Sequence, residues 1–246
     1  MSATELWLVR HGESTANVLA TNAQRSRLEV IPVEHRDADV PLSAAGVQQA
    51  HALGAWLAEN ADGSSPGSIW SSPYLRAQQT LAVALEASGL DRPFFVDERL
   101  RDRELGILDT LTSHGVDVRY PDEAARRRWL GKFYYRPPGG EAWTDVALRI
   151  RSFLRDIDGA DSTGPVLIAA HDAVVLVFLY ICLGWSEQEL LSFAATHTVL
   201  NASVTRLTRR PGEQFWTLEV FSHDDHLEAL GAPVTEHAGD TDVQPR

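Results

Sequence analysis

Thr4-Glu5-Leu6-Trp7-Leu8-Val9-Arg10-His11-Gly12-Glu13-Ser14 runs from a short apolar, β-prone segment straight into a polar turn. This is a strand feeding a loop, and the loop begins at a histidine. The arrangement returns far down the chain: Val166-Leu167-Ile168-Ala169-Ala170-His171 is a buried-strand pattern, bounded by Gly164-Pro165, that again ends on a histidine. Between the two, helical and strand patterns alternate. Alternation of this kind favours a three-layer α/β/α fold around a mostly parallel, mixed sheet. Ligands of such sheets bind beyond the carboxyl ends of the strands, so His11 and His171 are expected at one rim.

The elements read outward from these strands. Ser43 is placed to cap a helix, with Leu42 stapled to Val47. Val47, Ala50, Leu53, Gly54 and Leu57 share its apolar face. Ser68 to Ser71 is a short strand, and Ser72-Pro73 opens a helix with proline at its first position that stops at Gly89. Trp143, Val146, Ala147, Ile150, Phe153, Leu154 and Ile157 mark the cleanest helix, ending at Gly159. Asp172 to Leu183 reads as an apolar helix closed by Gly184. Val199 to Leu207 and Gln214 to Phe221 read as the last strands. Residues 97–140 break the alternation and are expected to form a lid inserted over the active rim. Residues 1–230 then make one domain, and 231–246, rich in Gly, Pro, Thr and Asp, are expected to be a frayed tail.

The 246 residues carry 34 acidic against 22 basic side chains, a formal charge of -12. That argues against a nucleic-acid partner, which calls for a basic footprint. A site for an anion must gather its positive charge locally. Cys182 is the single cysteine, which excludes an internal disulfide and a cysteine-rich zinc site. No signal-peptide pattern opens the sequence, and Ala173 to Leu183 is too short for a bilayer, which takes about 20 residues. The expectation is a cytoplasmic protein with no membrane partner; a homodimer is compatible with this reading.

Phosphoryl transfer needs a nucleophile, cations around the phosphoryl oxygens and an acid for the leaving oxygen. His11 beside Arg10 supplies the first two, and Gly12 lets backbone approach a phosphate closely. Arg76, in the first turns of the helix after the Ser68–Ser71 strand, can reach the same rim, and an arginine fork grips two phosphate oxygens at once. His171 adds a donor from the second strand end.

Arg10-His11-Gly12-Glu13-Ser14 with Asn17 resembles the signature of the histidine phosphatase superfamily, which includes the cofactor-dependent phosphoglycerate mutases. Pro41-Leu42-Ser43-Ala44-Ala45-Gly46 resembles that family's capped helix, and Ser71-Ser72-Pro73-Tyr74-Leu75-Arg76 its arginine-bearing helix start. Gly140-Glu141 and the strand ending at His171 follow in the same order. The resemblance implies a phosphoglycerate mutase-like fold and a phosphohistidine on His11, with Arg10, Arg76 and His171 as the phosphate pocket and Asn17 as a helper. It implies no metal and no cofactor. For the general acid, Leu100-Arg101-Asp102-Arg103-Glu104-Leu105-Gly106 resembles a family motif that usually carries glutamate at the position of Asp102. Asp172, directly after the second histidine, ranks next, and Glu104 last.

The middle of the chain resembles the bisphosphatase domain of the bifunctional fructose-2,6-bisphosphate enzymes: Leu111-Thr112, Tyr120-Pro121-Asp122-Glu123, Lys132-Phe133-Tyr134-Tyr135-Arg136 and His171-Asp172-Ala173-Val174. This implies that Lys132, with Arg127 or Arg128, holds the remainder of the substrate; residues 119–136 carry six Lys/Arg in an otherwise acidic chain. A solvated helix face is the simpler account of Arg126-Arg127-Arg128. Ser113, Asp172 and Leu176 stand where that domain has substrate-contacting tyrosine, glutamine and arginine, and Asp172-Ala173 replaces the mutases' Gly-Asn. The expected activity is hydrolysis of a small phosphorylated metabolite, with a mutase or an inactive phosphate-binding protein as alternatives. His223-Asp224-Asp225-His226 reads as a surface turn rather than a metal site. Glu141 either favours the positive end of its helix or faces the pocket.

Overall fold

The structure, a computed structural model, describes residues 3–61, 65–159 and 164–237. Its strands are β1 (Glu5–Arg10), β2 (Ser68–Ser71), β3 (Phe95–Val96), β4 (Val166–Ala170), β5 (Val204–Thr208) and β6 (Thr217–His223). They form one sheet in the order β3-β2-β4-β1-β5-β6. The first four of these are parallel, and β5 and β6 add an antiparallel edge. β1 and β4 sit at the centre, covered on both faces, which is why they read as nearly continuous apolar runs.

Alternation along each strand divides the core in two. Leu6, Leu8, Val166 and Ile168 face α6 (Trp143–Gly159) and α7 (Asp172–Cys182). Trp7, Val9, Leu167 and Ala169 face α2 (Ala44–Ala61) and α3 (Leu75–Ser88). The three-layer arrangement follows directly from this parity. The remaining helices are α1 (Thr15–Arg25), α4 (Ser113–Arg119), α5 (Pro121–Tyr134), α8 (Glu187–Ala194) and α9 (Asp225–Ala229). Among the described residues no helix is long and apolar enough to cross a membrane.

Several local expectations are corrected. Helix α3 begins at Leu75 with Tyr74 as its cap, because Ser72 Oγ accepts the Tyr74 amide at 3.2 Å and turns the chain before the helix starts. Val47 is exposed, while Ala50, Leu53, Gly54 and Leu57 are buried as expected. β5 starts at Val204, not Val199, because residues 199–203 cross the rim instead of pairing. Ala202 adopts φ 55° and its amide donates to the Arg10 carbonyl at 3.0 Å. The sequence His223 to His226 is not a surface turn throughout: it opens α9, and His226 is buried with Nε2 3.0 Å from the Ala202 carbonyl.

The largest correction concerns the expected tail. Residues 231–237 form a strap across the rim. Gln49 Nε2 donates to the Pro233 carbonyl at 2.7 Å and to Thr235 Oγ1 at 2.8 Å. The Asn201 amide donates to the Thr235 carbonyl at 3.3 Å. Composition favours fraying; backbone and side-chain pairing with α2 and with the loop at Asn201 overrides it. Residues 238–246 of that expectation fall outside the described residues.

Candidate active site

Register places the two histidines. Arg10 pairs with Ala170 across β1 and β4, and the His11 amide donates to the Ala170 carbonyl at 3.0 Å. The next residue on each strand is therefore a histidine at the same level, and the ring centroids lie 5.1 Å apart. Ser72, one residue past β2, donates its amide to Ala169 and sets its hydroxyl 2.8 Å from His171 Nε2. Three parallel strands thus deliver their first loop residues to one spot.

The loop after β1 is held tightly. Gly12 donates its amide to Thr80 Oγ1 at 3.0 Å, and the Glu13 amide donates to Gln49 Oε1 at 2.8 Å. A side chain at Gly46 would put its Cβ 2.0 Å from the Glu13 carbonyl, so only glycine lets α2 start against this loop. Ser14 caps α1 in a reciprocal box with Asn17. The first turn of that helix is thereby aimed toward the rim, a favourable place for an anion.

His11 is buried. Its Nδ1 lies 2.7 Å from the Gly12 carbonyl, which can only accept, so Nδ1 carries the proton and Nε2 the lone pair. Arg76 Nε donates to that lone pair at 3.2 Å. Burial, and then the neighbouring Arg76, His171 and Arg10, hold the imidazole well below its ordinary pKa. The ring is neutral and its Nε2 lone pair faces the Arg76 guanidinium.

Arg76 is the hub. Besides His11, its Nη1 donates to Asp37 through the backbone carbonyl at 2.6 Å and Oδ1 at 2.8 Å, and its Nη2 to Asp102 Oδ2 at 3.1 Å. Burial favours the neutral acid of Asp102, but His171 and Arg76 outweigh it and hold the carboxyl well below the usual range. The same Asp102 oxygen lies 3.2 Å from His171 Nδ1. Burial in turn lowers His171, opposed by the Asp102 charge. Arg10 donates to the Val199 carbonyl and, at 3.2 Å, to the His237 carbonyl. Its Nε is buried and has no hydrogen-bond partner among the described residues.

These groups line a cavity of about 390 Å³. Arg10, His11, Asn17, Arg76, Asp102, Arg127, Lys132 and Asp172 all contribute to its wall. His171 is fully buried behind it. Arg128 does not join them: it pairs with Asp117 at 3.4 Å on the exposed side of α5. A left-handed Gly131 (φ 73°) breaks α5 and swings Lys132 inward, with Nζ 5.1 Å from the centre of the Trp143 ring. Asp172 spends Oδ1 on the Ala173 amide at the start of α7. Glu104 is taken by the Tyr74 hydroxyl at 3.0 Å and lies outside the cavity wall. Glu141 faces away too, tied to Arg101 at 2.6 Å and Arg149 at 3.1 Å. Trp143 is core on one side and cavity wall on the other.

Four participants escaped the sequence reading. Asp37 sits in an irregular loop with no periodicity to flag it. Arg103 lines the cavity, its pKa pushed down to about 10 by burial and then by Arg127. Arg149 looks like a solvated helical charge, yet it donates to the Arg99 carbonyl at 2.5 Å and the Asp102 carbonyl at 3.1 Å, fixing the backbone that carries Asp102. His237, from the strap, joins Glu13 at 3.0 Å and Thr21 at 2.7 Å.

Residues 6–223 match the model of the histidine phosphatase superfamily, branch 1, and the chain belongs to that family. Rat 6-phosphofructo-2-kinase/fructose-2,6-bisphosphatase 1 is 30% identical over 79% of this chain. The chain spans only 36% of that protein's length. The 2,3-bisphosphoglycerate-dependent phosphoglycerate mutase of Methylobacterium radiotolerans is 31% identical, over 75% of this chain and 82% of its own. Among solved structures, mycobacterial glucosyl-3-phosphoglycerate phosphatase superposes with a TM-score of 0.70 at 27% identity, covering 90% of this chain and all of that one (100%).

Proposed function

We propose that this protein is a phosphomonoesterase that hydrolyses a small phosphorylated metabolite through a phosphohistidine on His11. The observation that carries the reading is the tautomer: with Nδ1–H fixed by the Gly12 carbonyl, the lone pair of Nε2 faces the guanidinium of Arg76. A phosphoryl group seated there meets the nucleophile and the cations together, so the site is arranged before substrate arrives.

In the first half-reaction Nε2 attacks phosphorus in line and the ester oxygen leaves. The carbonyl of Gly12 stabilises the charge that develops on the ring. Arg10, with its unused Nε–H, and Arg76 hold the phosphoryl oxygens. Asp102 serves as the acid. It is ionised in the free protein, and an incoming phosphate dianion changes that: it draws Arg76 off the Asp102 carboxylate and adds negative charge beside it. Both raise the affinity of Asp102 for a proton; it takes one up from solvent as the substrate binds and gives it to the leaving oxygen. In the second half-reaction the same carboxylate takes a proton from water as water attacks the phosphohistidine. Asp102 alone among the candidate acids is bound to Arg76 and adjacent to His171.

Lys132 and Arg127, with Arg103, supply positive charge on the α5 side for the remainder of an anionic substrate. The relatives act, by their names, on fructose 2,6-bisphosphate, phosphoglycerate and glucosyl-3-phosphoglycerate, all small anionic phosphoesters. The three positions that depart from the fructose-2,6-bisphosphatase pattern, Ser113, Asp172 and Leu176, all line the cavity, so the leaving-group contacts differ from that enzyme's.

The test is phosphate release in EDTA from p-nitrophenyl phosphate, sugar phosphates and 3-phosphoglycerate, with His11→Ala alongside. Release that disappears in a folded His11→Ala protein supports the reading; release that persists overturns it. Isomerisation of phosphoglycerate after addition of a bisphosphorylated primer, without net hydrolysis, identifies a mutase instead.

A further inference from the structure

The segment that carries Asp102 has no regular structure of its own. Residues 101–105 link two single turns of 3₁₀ helix, Glu98–Leu100 and Gly106–Leu108, so neither sheet register nor a long helix fixes the carboxylate. An aspartate carboxyl is bonded directly to Cβ, and its place therefore follows its backbone closely. Oδ1 accepts the Arg103 amide at 2.8 Å, and Oδ2 is the oxygen that meets Arg76 at 3.1 Å and His171 at 3.2 Å. A small shift of this peptide would take Oδ2 away from both partners.

What holds the segment comes from α6 and the residue before it. Arg149 donates through Nη1 to the Arg99 carbonyl at 2.5 Å and through Nη2 to the Asp102 carbonyl at 3.1 Å. Glu141 aims that guanidinium: its two oxygens accept Nε and Nη2, each at 3.1 Å, in the bidentate geometry that fixes an arginine plane. The same carboxylate accepts Arg101 Nη2 at 2.6 Å and the Glu104 amide at 3.2 Å. Through its backbone, Glu141 donates to the Glu104 carbonyl at 2.9 Å and accepts Arg103 Nε at 2.7 Å. Each residue from Arg101 to Glu104 is thus bonded to Glu141 or Arg149. The side chains of Arg149 and Glu141 are only 9% and 13% exposed, and α6 is itself seated in the core by Val146, Ala147, Ile150 and Phe153. Neither Arg149 nor Glu141 lines the cavity.

We infer that Arg149 is a positioning residue for proton transfer: aimed by Glu141, it sets the Asp102 peptide so that the carboxyl can reach the leaving oxygen, and it acts on the reaction through Asp102. This rests on the phosphatase reading above and on Asp102 as its acid. A catalytic group displaced by about 1 Å loses on the order of 10²-fold in rate. That loss falls on the step that needs the proton. An ester with a basic leaving oxygen, such as phenyl phosphate, needs it; p-nitrophenyl phosphate, whose leaving group departs readily as an anion, needs it far less.

The experiment measures kcat/KM for these two esters in wild type, Arg149→Met, Asp102→Asn and the double variant. Arg149→Met is expected to slow phenyl phosphate about tenfold or more beyond its effect on p-nitrophenyl phosphate. In the Asp102→Asn background the same substitution is expected to leave the ratio of the two esters unchanged, because residues that act through one group are not additive. Arg149→Lys, which can still donate to one carbonyl, is expected to recover part of the loss. Glu141→Gln, which keeps size and the loop's backbone pairing, is expected to shift the ratio in the same direction, and it carries the test if Arg149→Met does not fold. One common factor for both esters in the Arg149 and Glu141 variants overturns the inference and leaves the phosphatase reading standing. So does a change of ratio that persists undiminished with Asp102→Asn, or an Asp102→Asn protein with no leaving-group dependence. No hydrolysis of either ester by the wild type overturns the phosphatase reading, and the inference with it.

Discussion

Replacement of Arg76 by alanine separates a catalytic hub from a structural ion pair. The guanidinium donates in three directions: to His11 at 3.2 Å, to Asp37 at 2.6 and 2.8 Å, and to Asp102 at 3.1 Å. For turnover, Arg76→Ala removes one preorganised cation from the transferred phosphoryl group. Losses of this kind are on the order of 10²–10³-fold, about 3–4 kcal/mol. For stability, the variant leaves two carboxylates without their shared counter-ion. Breaking a fully buried pair costs roughly 3–5 kcal/mol, but the side chains of Asp37 and Asp102 are 39% and 23% exposed. Water resolvates both, so the expected destabilisation is about 1–2 kcal/mol. Arg76→Lys keeps the charge on one compact ammonium that cannot serve all three partners, and is expected to fall between wild type and alanine. The assay is kcat/KM on p-nitrophenyl phosphate beside a thermal melt. A folded Arg76→Ala protein with kcat/KM within threefold of wild type would falsify the placement of this arginine at the reacting phosphate.

Other expectations follow from the same geometry. His11 is held below its ordinary 6.5 by burial and adjacent cations, so on acidification the unfolded chain protonates this residue first. The stability it contributes is present above pH 6.5 and is lost as pH falls toward the folded value; ¹⁵N NMR should show a neutral ring with its proton on Nδ1 at pH 6, and an imidazolium there refutes the assignment. Asp102→Asn should slow poor leaving groups more than p-nitrophenyl phosphate, by about 10²–10⁴-fold; if Asp172→Asn shows that pattern instead, the acid is Asp172. Deleting residues 231–246 removes the strap partners of Gln49, Glu13 and Arg10. Turnover is expected to drop about tenfold or more, with far-UV circular dichroism retained; full activity in the truncated protein shows that the strap does not order the site.

The layers and the rim were legible because their signals are periodic or terminal. The β1 and β4 runs, the α6 stripe and the two strand-ending histidines survive intact, since core parity and sheet register leave few alternatives. Asp37 was invisible for the opposite reason: it occupies a loop, and its placement depends on pairing between Val30 and Leu111, for which neither segment carries a sign. The strap misled because Gly and Pro mark irregular backbone, which is correct at 231–237, but irregular backbone can still be fully engaged. Arg127 and Arg128 read alike in the sequence, but one position along a helix turns a side chain by about 100°, enough to send Arg128 to Asp117. The kink that turns Lys132 inward lies at Gly131, a single glycine within an otherwise helical run.

The strap has a consequence for the order of folding. The hydrogen bond from Arg10 to the His237 carbonyl spans 227 positions, and the Glu13–His237 contact spans 224. Closing loops of that length precedes any reward from the contacts themselves, and such long-range pairing forms slowly. The sheet and its helices can assemble while the cavity rim is still open on one side. Competence to bind phosphate is therefore expected to mature late in refolding, trailing the recovery of secondary structure.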